Sequence, residues 1–221
     1  MIARRALIAL LGTAPLPLAA EPVLSDVQLS DAQVLLFETP HLAALQPPLR
    51  LDYAFLREKA GRPPVEDVIR LVVQAGAEPG RRDVVPEFLT GPRAIHYPPA
   101  QGFRGNPLLL FALDRQSREL SAATGGSPSW FRNRIRQALA QAPPPRRIVL
   151  PFAGQQVDAS EIALQPFAGE PRARHFQQQR YRFVLAEAVP GWIHAIDSEL
   201  PAGAEGGAVR EAIRFAAAVP R

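Results

Sequence analysis

Twenty-four prolines are spread through the 221 residues. Proline fixes φ, lacks an N–H and clashes with the preceding turn of a helix. The chain is therefore directed toward short strands and fixed loops rather than long helices. In one region proline works for a helix. Asn106-Pro107 puts a capping side chain before a proline whose missing N–H costs nothing in a first turn. Leu108, Leu109, Ala112 and Leu113 then form one face, carried on by Gln116 and Leu120. Thr124-Gly125-Gly126 supplies a stop that tolerates left-handed geometry. Ser127-Pro128 repeats the start, Phe131, Ile135, Ala138 and Leu139 form a second stripe, and Pro143-Pro144-Pro145 closes it. The spacing predicts helices over residues 107–123 and 128–140, a helical hairpin within 106–141.

The flanks read as strands. Residues 49–55 alternate as a half-buried strand does, and 65–73 follow, ended by Gly76, Pro79 and Gly80. Residues 34–37 fit a strand start, and Val84, Val85 and Phe88 form a shorter apolar set. Past the hairpin, 148–152, 157–164, 180–187 and 192–196 read as strands, punctuated by Gly154, Gly169-Glu170-Pro171 and Pro190-Gly191. Residues 208–218 fit both types: Val209, Ile213 and Ala216 suit a helix, Ile213 and Phe215 a strand. The expectation is an α+β fold with mostly antiparallel β-strands before and after a central helical hairpin. It forms a single domain over 21–221, with two β subregions (27–100 and 146–200). The absence of strand–helix–strand alternation argues against a doubly wound nucleotide fold.

Residues 1–20 have the order of a signal peptide: a basic opening with Arg4-Arg5, an apolar run from Ala6 to Leu11, then small residues before Glu21. The apolar stretch is too short to span a hydrocarbon core of about 30 Å, and Pro15 and Pro17 interrupt it, so no stable membrane anchor is expected after cleavage. The expected location is the periplasm, by general secretion ahead of the twin-arginine route that Arg4-Arg5 also allows. The chain has no cysteine, which excludes disulfides, thiolate metal sites and a cysteine nucleophile. Removing Arg4 and Arg5 from the 25 basic residues leaves 23 against 21 acidic ones, no electrostatic footprint for nucleic acid.

Several segments carry a resemblance. Leu36-Phe37-Glu38-Thr39-Pro40-His41-Leu42 and Leu51-Asp52-Tyr53-Ala54-Phe55 open it. Gly105-Asn106-Pro107-Leu108-Leu109-Leu110-Phe111 and the run from Thr124-Gly125-Gly126-Ser127 through Phe131-Arg132-Asn133-Arg134-Ile135-Arg136 form its centre. Val189-Pro190-Gly191-Trp192 ends it. Together they resemble an uncharacterised family of exported (periplasmic) bacterial proteins, over about residues 35–198. The resemblance implies export and attaches no activity, cofactor or catalytic residue.

Two sets of residues could carry function. Gly126 and Ser127 precede a helix, where free N–H groups and the dipole could hold an anion. Arg132 and Arg136 lie near one another on that helix and could clamp it, while Arg134 points away. The plain alternatives are a tight interhelical link and a solvated charged face. The second set is a composite site of His41, His96 and Asp114 from distant segments. No His-x-x-x-His pair or Gly-x-Ser-x-Gly elbow occurs, and Ser-x-x-Lys is impossible with Lys59 as the one lysine. No metal or cofactor is expected. These features favour a non-enzymatic binding or accessory protein of the bacterial cell envelope, acting on an envelope component or a protein partner. The alternative is a hydrolase with an active site assembled from distant residues.

Overall fold

The computed structural model describes residues 28–203 and 207–221. The expected signal peptide, residues 1–20, lies outside the described residues.

Among the described residues, nine strands form one antiparallel sheet. They are β1 (Leu49–Lys59), β2 (Val65–Ala75), β3 (Arg82–Phe88), β4 (Ala100–Phe103), β5 (Arg146–Phe152), β6 (Gln155–Leu164), β7 (Arg180–Leu185), β8 (Ile193–Leu200) and β9 (Val209–Pro220). Their order is β4-β3-β2-β1-β9-β8-β7-β6-β5. Each β subregion is thus a meander of sequential neighbours, and β9 joins the two by pairing with β1 on one side and β8 on the other. Its ladder to β1 runs from Leu49↔Pro220 to Lys59↔Val209, with a bulge between Asp52 and Tyr53. Pro86 of β3 sits beyond the short reach of β4, which pairs only at Arg82 and Val84, and Pro151 lies in the edge strand β5. Both prolines occupy positions where a missing N–H breaks little of the ladder.

Side-chain alternation sets the two faces. Leu49, Leu51, Tyr53 and Phe55 of β1 are buried, as are Ile69, Leu71 and Val73 of β2 and Tyr181, Phe183 and Leu185 of β7. Two helices cover this inner face, α2 (Leu108–Thr124) and α3 (Pro128–Ala140), after a short α1 (Asp31–Gln33). Leu108, Leu109, Ala112 and Leu120 of α2 and Phe131, Ile135 and Leu139 of α3 complete the main core. On the opposite face, charges cross five strands in alternation, Arg146–Glu161–Arg182–Asp197–Arg214. Such exposed pairs contribute little each, about 0.2–1 kcal/mol.

The helical hairpin forms at the signals that foretell it. Asn106 Oδ1 accepts the Leu108 N–H at 3.1 Å, and Ser127 Oγ accepts the Trp130 N–H at 3.2 Å. Gly125 is left-handed at φ 74°, its N–H bonded to the Ser121 carbonyl at 2.8 Å. Gly126 is tight for a different reason, since a Cβ there would lie 3.1 Å from Phe131 Cε2. The double change Gly125→Val with Gly126→Val therefore combines strain with overpacking, about 1–3 kcal/mol from each cause. Thermal melts should show a Tm lower by roughly 5–15 °C. An unchanged melt together with lost protection by phosphate or sulfate would instead assign the glycines to an anion site.

Residues 34–37 do not start a strand. α1 continues as a wider helical turn, Val34–Glu38. The reason is a reciprocal cap: Ser30 Oγ accepts from the Gln33 N–H at 3.2 Å, and Gln33 Oε1 accepts from the Ser30 N–H at 3.0 Å. Ser30 Oγ also donates to the Leu139 carbonyl at 2.7 Å, tying this turn to α3. The ambiguous segment 208–218 is strand, because β9 has a partner on both sides. Trp192 is not a strand start; at φ 63° it ends the preceding turn, and β8 begins at Ile193.

Candidate functional site

Two polar constellations are built into the buried face. The first centres on Asn106. Its Nδ2 donates to Tyr53 Oη at 3.0 Å and to the Gly191 carbonyl at 2.9 Å. Its backbone N–H donates to His41 Nδ1 at 3.1 Å. Since Nδ1 accepts, His41 Nε2 carries the proton and donates to the Leu35 carbonyl at 2.8 Å. The His41 ring also lies 5.5 Å from that of Trp192. Asn106 is 3% exposed, His41 1% and Tyr53 0%. Residues from the separate segments around His41, Tyr53, Asn106 and Gly191 thus meet at one satisfied buried amide.

Burial lowers the His41 pKa from its ordinary 6.5, and the hydrogen bond to Leu35 opposes this only in part. A lowered histidine pKa means that the unfolded chain takes up its proton first as pH falls. Stability should therefore drop as pH falls through 6.5 toward the folded value. Melts from pH 8 to pH 5 should show a shallower decline for His41→Gln than for the wild type. Parallel curves would remove His41 from the cause.

The second constellation lies where the inner face turns polar. Beyond Phe55, the inward positions of β1 are Arg57 and Lys59, and on β9 Glu211 precedes Ile213 by the same two-residue step. α2 lays Arg115, Gln116 and Glu119 against them. Arg115 and Glu211, each 6% exposed at the side chain, form a two-pronged pair with both contacts at 2.8 Å. Arg115 Nη2 also meets Glu119 at 2.8 Å, and Arg57 meets Glu119 at 2.9 Å and Glu211 at 3.2 Å. Gln116 donates to Ser198 Oγ at 3.1 Å and to Glu211. The Arg115 guanidinium lies 4.9 Å from the Phe55 ring centroid, a cation–π contact. Burial works against the Arg115 charge, but its bonds to Glu211 and the nearby Glu119 raise its pKa on balance. Burial raises the Glu119 pKa, and the Glu211 carboxylate adds to the shift.

A cleft opens on each side of this lattice. One, of about 170 Å³, runs toward β8 and is lined by Gln116, His175, Phe176 and Ser198. The other, of about 470 Å³, runs toward β2 and has apolar walls from Phe55, Val65, Leu89 and Ile95. Arg57, Lys59 and Glu119 line both. Leu89 holds φ 63° at the wall of the larger cleft, a strained backbone for a residue with a Cβ.

The residues singled out in the sequence are placed as follows. Ser127 caps α3 and contacts Ser129 Oγ at 3.0 Å. The Gly126 N–H donates to Thr124 Oγ1 at 3.2 Å, and its carbonyl accepts from Ser121 Oγ at 2.6 Å. Arg132 reaches back to Asp114 at 3.0 Å, an acid that Arg118 also meets at 2.7 Å. Arg136 is exposed, and Arg134 pairs with Glu170. His41, His96 and Asp114 are not brought together: His41 is bound within the Asn106 node, His96 is exposed, and Asp114 is held between two arginines. Among the described residues, no group of three or more His, Cys, Asp or Glu side chains is placed to hold a metal ion. Sequence reasoning missed Arg57, Arg115, Glu119 and Glu211. Its available signal was charge at inward strand positions, with the Arg115–Glu119 spacing of one helical turn.

No family model matches the chain, and no curated protein matches it. Among solved structures, the chain is similar to the MucA/MucB complex of Pseudomonas aeruginosa, at 15% identity and a TM-score of 0.31, over 85% of this chain and 56% of that one. It thus spans a little over half the length of that matched chain. It is also similar to the LolA superfamily protein NE2245 from Nitrosomonas europaea, at 7% identity and a TM-score of 0.27, over 86% of this chain and 93% of that one. Among the described residues, no helix is long and apolar enough to cross a membrane.

Proposed function

We propose that this protein is a non-enzymatic binding or accessory protein of the bacterial cell envelope, exported to the periplasm, which takes its ligand at the clefts beside α2. The observation that carries the reading is the larger cleft, about 470 Å³, which combines an apolar wall with guanidinium and ammonium groups. A concave site with apolar lining and a few convergent polar groups is the usual form of a small-ligand site, and its volume lies within the common range of about 300–1,000 Å³. The hydrolase alternative needs an acid, a base and a nucleophile gathered from distant segments. Of the residues named for it, His41 is bound in the Asn106 node, His96 is exposed and Asp114 pairs with Arg132. The export half draws on the basic, apolar and small-residue order of residues 1–20.

Cell fractionation with N-terminal sequencing tests location. The protein should be periplasmic and begin at Glu21 or within a few residues; a retained Met1 would sink the export half. Mass spectrometry of extracts from the purified native protein should find a bound compound that the Phe55→Asp variant does not retain. Ester or amide turnover that survives repurification and disappears in His96→Ala or Asp114→Asn would replace binding with hydrolysis.

A further inference from the structure

We propose that the two clefts are one channel for an anionic amphiphile, a carboxylate or phosphate group on an apolar body, whose headgroup displaces the Glu119 carboxylate from Arg57. This deepens the binding reading above and rests on it.

The clefts share Arg57, Lys59 and Glu119, so what divides them is the Arg57–Glu119 pair. That pair is the open part of the lattice. Its side chains are 35% and 37% exposed, against 6% for both members of the Arg115–Glu211 pair. It is therefore the contact an incoming ligand can exchange without unburying charge. Arg57 keeps a second partner in Glu211 at 3.2 Å, so it stays oriented while Glu119 is replaced. Glu119 and Glu211 share the same two guanidinium groups, and their mutual repulsion makes Glu119 the easier one to release.

The sign of the ligand's charge follows from the lining. Among the described residues, Arg57, Lys59, Arg62, Arg93 and Arg115 face the larger cleft against one acid, Glu119. Arg57, Arg93 and Arg115 are already engaged with acids. Lys59 and Arg62 have no acid within 4.0 Å among the described residues and stand where a second and third contact to a headgroup would form. The apolar body has its place on Phe55, Val65, Leu89 and Ile95, which line the same cleft. A guanidinium suits either headgroup, because its fork matches both carboxylate and phosphate oxygens.

The chain supplies its own reporter. Lys59 is its one lysine, so acetylation of that ε-amino group, read by peptide mass spectrometry, reports on the channel. Dodecyl phosphate below its micelle concentration should protect Lys59 saturably. Inorganic phosphate tests the headgroup alone, and dodecyl maltoside tests the apolar body alone. Both should protect weakly. Glu119→Gln, which removes the competing charge and keeps the shape, should bind dodecyl phosphate about tenfold tighter. The exposed Arg62→Gln should bind it about tenfold weaker, a loss the size of one charge-assisted hydrogen bond. Equal protection by the maltoside, full protection by inorganic phosphate, or unchanged affinity in both variants would overturn the assignment. If a neutral compound copurifies with the native protein and protects Lys59, the binding reading stands and the anion assignment falls. If nothing copurifies and no probe protects, both fall.

Discussion

Asn106→Ala should melt roughly 8–15 °C below the wild type, with a loss of about 3–5 kcal/mol. The change strips the donor from Tyr53 Oη and from the Gly191 carbonyl, and the acceptor from the Leu108 N–H, all at a 3% exposed position. Each buried polar group left without a partner costs about 1–3 kcal/mol. The effect also spreads through the chain, because the same residue fixes the start of α2, the middle of β1 and the turn before β8. Tyr53→Phe removes one acceptor and should lose less. Asn106→Asp keeps the acceptor for Leu108 but cannot donate when ionised, so it should regain stability as pH falls and the carboxyl takes a proton. An Asn106→Ala protein melting within about 2 °C of the wild type would show that the node is not holding these segments. Differential scanning calorimetry of the variants decides the matter.

Arg115→Met alone should cost about 3–5 kcal/mol, because it leaves Glu211 charged and buried with Arg57 as its remaining cation. Adding Glu211→Leu should restore most of that loss, since a buried pair replaced by apolar side chains of similar size is often neutral or better. A double-mutant cycle in urea reads this directly, and the two single changes should be strongly non-additive. Additive losses would mean that each residue acts through separate contacts. A restored double variant would also separate stability from binding. It should fold well and still handle the anionic probe differently, because the guanidinium that anchors Glu119 has gone.

The strands and the hairpin were legible because their causes are local. In β1, Leu49, Leu51, Tyr53 and Phe55 alternate with polar or small neighbours within one short run. In the hairpin, Asn106, Gly125 and Ser127 act within two to four residues of themselves. The turn at Val34–Glu38 looks like a strand start because Val34 to Phe37 are all apolar, while the cap that makes it helical lies just before them in Ser30 and Gln33. The order of strands was not legible. Whether residues 208–218 formed a helix or a strand depended on edges offered by β1 and β8, far away in sequence. The ionic lattice was hidden for the same reason. Arg57, Arg115 and Glu211 lie on three elements, and nothing local distinguishes a guanidinium that faces a carboxylate from one that faces water. The sequence marks His41 as a chemical group, yet its surroundings make it a hydrogen-bonding support.

The place of β9 bears on how the chain can acquire its structure. Both β1 and β8 wait for the last strand, and the β1–β9 ladder joins residues near position 50 to residues near position 220. Contacts of such long sequence separation slow folding, because a large loop must close before they form. The helical hairpin and the two meanders are made of near neighbours and can form early. Until β9 docks, β1 and β8 are each an open edge, the kind of surface through which partly folded chains associate. A polypeptide ending before Val209 would keep both edges for its lifetime. The chain's exposure to aggregation is thus concentrated in the interval between release of its first strands and arrival of its last.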